Sequence, residues 1–325
     1  MAAQKTSSGL GPEFTYDLAP YLKVDPALIQ YEEKTAIATG IEAPRGIAVG
    51  PNENILVCGD RAVRCFDKDG KLLSEFKTSG EPQCVNPSAS LSSSLIPRAV
   101  SRAGSARSGT IYAGMKDHVE VYDAQGKPGG AWESLGPKAF VTSIAAMEKD
   151  VFVADAGGRV VLHYDLAGKL INRIGEKDES RNIPGLIVPS PYCHVALGAK
   201  DSIWVANPGR RRMECYTFAG VIRWWWGHAS PKIEGFCGCC NPTHFAILPD
   251  GRFVTSEKGL PRVKIYSASG EFESAVAAPA SFAEGTAGLD VAADSTGRVL
   301  VLDPIAKTVR IFVRKEKVAA EGAKQ

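Results

Sequence analysis

The sequence predicts an all-β fold, a six-bladed β-propeller. Three observations predict it. A unit of short apolar strands recurs with a period of about fifty residues, as propeller blades do. The composition is globular and turn-rich, with 33 Gly and 20 Pro in 325 residues, 44% apolar and 23% charged. The last unit lacks a strand that an N-terminal segment is suited to supply.

Each unit opens with a short apolar strand, often after Pro. A second apolar strand follows and ends in a small residue and a polar one. A third ends in an aromatic residue, a polar residue and a turn containing Gly. The first unit is the clearest: Pro44-Arg45-Gly46-Ile47-Ala48-Val49, then Ile55-Leu56-Val57-Cys58-Gly59-Asp60, then Val63-Arg64-Cys65-Phe66-Asp67-Lys68-Asp69-Gly70. Four later units repeat it, with second strands ending at Asp155, Asn207, Glu257 and Asp303. The second unit is interrupted. Pro82-Gln83-Cys84-Val85 is separated from Ile111-Tyr112-Ala113-Gly114 by residues 86–109, rich in Ser, Ala, Arg and Pro. That stretch buries too little apolar surface to order itself, so a flexible insertion is expected. Residues 33–39 can add the fourth strand of the last blade, closing the ring and removing its edges. The expected organisation is an N-terminal extension (1–30), the propeller (31–314) and a C-terminal tail (315–325).

The pattern Pro-x-Gly-Ile-Ala-Val, a Val-Ala-Asp-like strand end and Val-x-x-Phe/Tyr-Asp-x-x-Gly resembles the NHL repeat over about residues 44–313. The resemblance implies a six-bladed propeller of the NHL type. Phe236-Cys237-Gly238-Cys239-Cys240-Asn241-Pro242, residues 257–264 and Pro189-Ser190-Pro191-Tyr192 resemble a bacterial group of NHL-repeat proteins without a settled activity. That resemblance implies a special role for the Cys loop and supplies no mechanism.

The formal net charge is +2, with Lys and Arg spread along the chain, so no electrostatic footprint for nucleic acid is present. No run of about 18 apolar residues exists, so no membrane span is expected. The first residues lack the apolar core of a secretory signal. A cytoplasmic location is expected, with export after loss of a leader as the alternative. No Gly-rich phosphate loop, Gly-x-Ser-x-Gly elbow or Cys-x-x-Cys-His haem motif occurs. Eight Cys are too few for a disulfide scaffold.

Aligning the inner strands on Ile47, Val85, Ile144, Val195, Phe245 and Val291 places Gly46, Cys84, Ser143, His194, His244 and Asp290 at one position. This ring is expected near the mouth of the axial channel, because side chains alternate along a strand. His194, His244, Asp290 and Cys84 are metal-ligand types, suited to zinc or iron, with calcium as a lesser candidate. In repeat type the chain also resembles the peptidyl-hydroxyglycine amidating lyases, and that resemblance implies metal-binding His on inner strands. The alternative is that His194 and His244 only hydrogen-bond within a polar channel.

The run from Phe236 to His244 leads into the fifth inner strand, on the same face as Tyr192-Cys193-His194. Three readings of its thiols stand side by side. Cys237, Cys239, Cys240 and Cys193 hold zinc or an iron–sulfur cluster. Cys239 and Cys240 form a vicinal disulfide. Or the thiols are reduced and pack. Trp224, Trp225 and Trp226 are expected to pack between blades. The recurring Asp60, Asp155, Asn207, Glu257 and Asp303 are expected to cap turns.

Three functions follow for a chain expected to be monomeric. The first is a binding protein whose Cys/His face holds a metal or cluster, or docks a protein or small molecule. The second is a metal-dependent lyase or hydrolase with a divalent ion on the axis. The third is a metal-free protein–protein scaffold.

Overall fold

Runs of Val, Ile, Leu and Ala long enough for one short strand, cut by Gly and Pro, leave sheets as the only way to bury their side chains. The computed structural model describes residues 17–88 and 109–316. Most of the 86–109 insertion, the first part of the 1–30 extension and most of the 315–325 tail lie outside the described residues.

The first strand, β1 (Tyr31–Ala38), belongs to the last blade. Blade one holds β2 (Pro44–Val49), β3 (Ile55–Gly59), β4 (Ala62–Phe66) and β5 (Leu72–Lys77). Blade two holds β6 (Cys84–Pro87), β7 (Ile111–Gly114), β8 (Val119–Tyr122) and β9 (Pro128–Ala131). Blade three holds β10 (Val141–Ala146), β11 (Val151–Asp155), β12 (Val160–Tyr164) and β13 (Leu170–Ile174). Blade four holds β14 (Val195–Leu197), β15 (Ser202–Asn207), β16 (Arg212–Thr217) and β17 (Ile222–Trp226). Blade five holds β18 (His244–Ile247), β19 (Phe253–Ser256), β20 (Val263–Tyr266) and β21 (Phe272–Ala277). Blade six holds β22 (Asp290–Ala293), β23 (Val299–Asp303), β24 (Thr308–Arg314) and β1.

Every sheet is a four-stranded antiparallel meander in chain order, except that β1 completes blade six. β1 pairs with β24 from Tyr31 opposite Arg314 to Ala38 opposite Thr308, so the ring closes by joining the two ends of the chain. The inner strands β2, β6, β10, β14, β18 and β22 contact one another in sequence and β22 returns to β2, forming a closed ring. Burial is greatest in the second strand of each blade and least in most of the outer strands. β11 is buried along its whole length, whereas the outer strands β5 and β9 are almost wholly exposed. Asn86 and Pro87 belong to β6, so the second blade keeps a full inner strand before the insertion.

The core lies between blades rather than within one. Phe152, Ala154 and Val161 of blade three pack with Val195, Ile203, Val205 and Tyr216 of blade four. Trp226 is buried against Phe253 and Tyr266 of blade five, while Trp224 and Trp225 stay 42% and 50% exposed. The aromatic-polar-Gly signature closing the third strand of blades one to five is a hydrogen-bonded turn. The Asp67 carboxylate accepts the N–H groups of Asp69 and Lys71, and Asp123 and Asp165 repeat the arrangement. Gly70, Gly126 and Gly168 end these turns at φ of +93°, +79° and +82°, the left-handed region that glycine adopts without strain. No helix among the described residues is long and apolar enough to cross a membrane.

Candidate functional site

An antiparallel meander puts the loop before each inner strand and the hairpin between its second and third strands at the same end of the blade. One face of the propeller therefore carries the loops 184–194, 236–243 and 256–263. The polar residues ending the second strands anchor these loops. Asp60 accepts the Ala43 N–H, Asp155 that of Phe140, Asn207 that of Ile187 and Glu257 that of Cys237. Asp303 instead caps its own turn, accepting from Ile305 and Ala306. Each therefore caps or ties down backbone.

The ring around the axis is also largely occupied. Ser143 Oγ accepts the N–H of Val195 at 3.2 Å, His194 Nδ1 that of Phe245 at 3.0 Å, and Asp290 Oδ2 that of Ile47 at 3.0 Å. In each case one blade's ring residue holds the first apolar residue of the next blade. At Gly46 a Cβ would lie 2.9 Å from Cys84 Cα, so the approach of blades one and two leaves no room for a side chain.

This pattern limits the ligands available. With Nδ1 accepting from Phe245, the neutral His194 ring carries its proton on Nε2 and has no free lone pair for a metal. Burial, and then the charge of His244, hold its pKa well below the ordinary histidine value. Burial lowers His244 as well, against the opposing pull of Asp290 and a backbone bond to Leu289. Burial raises Asp290, partly offset by His244 and by the Ile47 and Val291 N–H groups. Cys84 packs among Tyr112, Val119, Val141 and Ile144, and burial pushes its thiol well up. The His194 and His244 rings meet edge to face at 5.4 Å. His244 Nδ1 is buried and has no hydrogen-bond partner. Among the described residues no three His, Cys, Asp or Glu side chains are grouped as a metal ion requires. As placed, the ring set His194, His244, Asp290 and Cys84 does not assemble into a metal site.

The Cys loop is different. Asn241 locks it from inside, donating through Nδ2 to the carbonyls of Cys237 (2.6 Å) and Lys258 (2.9 Å) and accepting the Lys258 N–H. From below, buried Glu257 pairs with Arg262 at 2.9 Å and with Lys264 at 2.6 Å. The Lys264 ammonium donates onward to the Ile233 and Gly235 carbonyls and lies 4.6 Å over the Phe236 ring. Burial brings its pKa down to about 8, against the pull of Glu257. Gly238, at φ +73°, turns the chain between Cys237 and Cys239.

On this base the Cys239 and Cys240 sulfurs lie 3.1 Å apart. Cys239 is exposed and Cys240 buried. Burial acts to raise the Cys240 thiol, but the Ser190 hydroxyl, the Cys239 thiol and the Lys258 ammonium outweigh it and hold it below the ordinary value. The hydrogen bond to Cys240 holds Cys239 above it. Lys258 Nζ also lies 5.0 Å over the Tyr192 ring, whose edge meets His244 at 5.4 Å.

The other two expected sulfur ligands lie elsewhere. The Cys193 sulfur faces the Ala206 carbonyl at 4.0 Å inside the core between blades three and four, and burial pushes its thiol up to about 12. Cys237 is buried beside the charges of Glu257, Arg262 and Lys264, with burial the main cause of its raised thiol pKa. A four-sulfur set of Cys237, Cys239, Cys240 and Cys193 therefore does not assemble as placed. Ser190 and Lys258 were absent from the sequence-derived site. The signal available was that both lie in segments resembling the same bacterial group as the Cys loop.

No protein-family model and no curated protein matches the chain. Solved structures do resemble it. A protein of unknown function from Bacteroides thetaiotaomicron VPI-5482 is 13% identical, with 84% of this chain and 70% of that one covered and a TM-score of 0.58. The WD40 β-propeller domain of Doa1 is 13% identical, covering 90% and 99%, with a TM-score of 0.55. A catalytically inactive virginiamycin B lyase from Staphylococcus aureus, solved with quinupristin, is 11% identical, covering 87% and 99%, with a TM-score of 0.54. The likeness establishes the fold. At these identities it extends no further.

Proposed function

We propose that the chain is a β-propeller binding protein that takes a thiophilic ligand at Cys239 and Cys240. The observation that carries this reading is the thiol pair itself, 3.1 Å apart on an anchored loop, one cysteine exposed and the other buried. Soft thiolate sulfur selects soft or borderline metals and thiol-reactive groups. Two sulfurs are half of a tetrahedral zinc shell, so zinc would complete its coordination with water or a partner's groups. The NHL-type repeat and a docked protein or small molecule on this face belong to the same reading, as does a reducing, cytoplasmic setting for eight free thiols.

The test is anaerobic titration of the reduced protein with zinc chloride, beside a Cys239→Ser/Cys240→Ser variant. The parent is expected to bind at least about tenfold more tightly, a difference of about 1.4 kcal/mol. Equal binding overturns the reading.

A second reading is a lyase or hydrolase with a divalent ion on the axis. Buried, unpartnered His244 Nδ1 favours it, together with the likeness in fold to a virginiamycin B lyase. His194 would have to release the Phe245 N–H to join in. Metal lost from a His244→Ala variant but kept by the Cys variant would favour the axis over the thiol pair.

A further inference from the structure

The thiol pair has the layout of a two-step exchange site. Cys239 is exposed, where an external reagent meets it first. Cys240 is buried, 3.1 Å behind it. No other thiol competes for the second step: Cys193 faces the Ala206 carbonyl and Cys237 sits over the Glu257 ion cluster. Asn241 holds both ends of the segment that carries the pair.

We propose that Cys239 and Cys240 form a dithiol–disulfide couple that exchanges with low-molecular-weight disulfides, and that its oxidation closes the ligand site. This rests on the reading of the pair as the working site. In the first step Cys239 gives up its proton to solvent and its sulfur attacks one sulfur of the small disulfide. A Cys239–S–S–R bond forms, and one thiolate leaves and takes up a proton. In the second step Cys240 gives up its proton and its sulfur attacks the Cys239 sulfur; the S–S bond to the small thiol breaks, and the second thiolate leaves and takes up a proton. Two protein thiols are oxidised, one disulfide is reduced to two small thiols, and no other reagent is needed.

The test incubates the reduced full chain with oxidised glutathione and follows intact mass and peptide maps. The parent is expected to lose the mass of two hydrogen atoms and to carry a Cys239–Cys240 link. A Cys240→Ser variant should stop with one glutathionyl group on Cys239. A Cys239→Ser variant should react at least about tenfold more slowly, having lost the exposed thiol. A parent that keeps glutathione, links another pair or fails to react overturns the couple. Zinc is titrated separately into reduced and oxidised protein. Exchange without zinc binding would overturn the ligand reading alone. Zinc bound equally by both forms would overturn the closing of the site.

Discussion

Ser143, His194 and Asp290 sit at one position around the axis, and each accepts a backbone N–H from the next blade. Cys239 and Cys240 stand a few residues before the same ring in blade five, yet their sulfurs meet chiefly each other, Ser190 and Lys258. Both groups carry metal-ligand chemistry and share one face. The difference lies in what the fold has already used. The ring's lone pairs hold blades together, leaving only His244 Nδ1 unpartnered. The thiols are held from behind by Glu257, Arg262, Lys264 and Asn241, so their own chemistry stays available. Polar side chains at a propeller axis thus indicate cohesion until their partners are known.

Stability measurements separate the two groups. The largest effect is expected at Glu257. Glu257→Ala leaves Arg262 and Lys264 buried without their carboxylate, which should cost about 3–5 kcal/mol in urea unfolding. The equivalent Asp155→Ala removes one loop tether and should cost about 1 kcal/mol. Equal losses would remove the case for a specially reinforced fifth blade.

Acid should act next. His194 and His244 are lowered in the folded state, so below the ordinary value of 6.5 the unfolded chain binds protons that the folded one refuses. Their contribution is fully present above pH 6.5 and is lost as pH falls toward the folded values. The slope is at most about 1.4 kcal/mol per pH unit for each histidine. In a His194→Gln variant, unfolding followed between pH 7 and pH 5 should show a shallower fall than in the parent. An unchanged fall would mean that the axis is not dry. A smaller effect, about 1 kcal/mol, is expected for Ser143→Ala, which loses the Val195 contact. Smallest of all, Cys239→Ser/Cys240→Ser should alter stability by less than about 0.5 kcal/mol while abolishing zinc binding and exchange.

The propeller was legible because its signal repeats. Each blade rewrites the same strand ends and turns, and the missing strand of blade six was visible at the N-terminus. The ring was legible in register but not in role. That His194 Nδ1 serves the Phe245 N–H depends on a contact between blades, 51 residues apart, which no local pattern encodes. Cys193 was grouped with His194 because they are neighbours, but adjacent residues in extended chain point to opposite sides, so Cys193 turns into the core. Ser190 and Lys258 reach Cys240 from two other loops, and convergence of that kind leaves no periodicity to read. Asp60, Asp155, Asn207 and Glu257 were expected to cap turns. The structure gives them a longer reach, to the loop feeding the same blade's inner strand.

A division of labour follows, in which the axial polar groups serve cohesion and the Cys239–Cys240 pair is left to react. Its most direct test is timed alkylation of the native, reduced protein with N-ethylmaleimide, followed by peptide mapping of all eight cysteines. Label is predicted on exposed Cys239 first, ahead of Cys58, Cys65, Cys84, Cys193, Cys215 or Cys237. Label spread evenly, or arriving first at any of those six, would contradict the account.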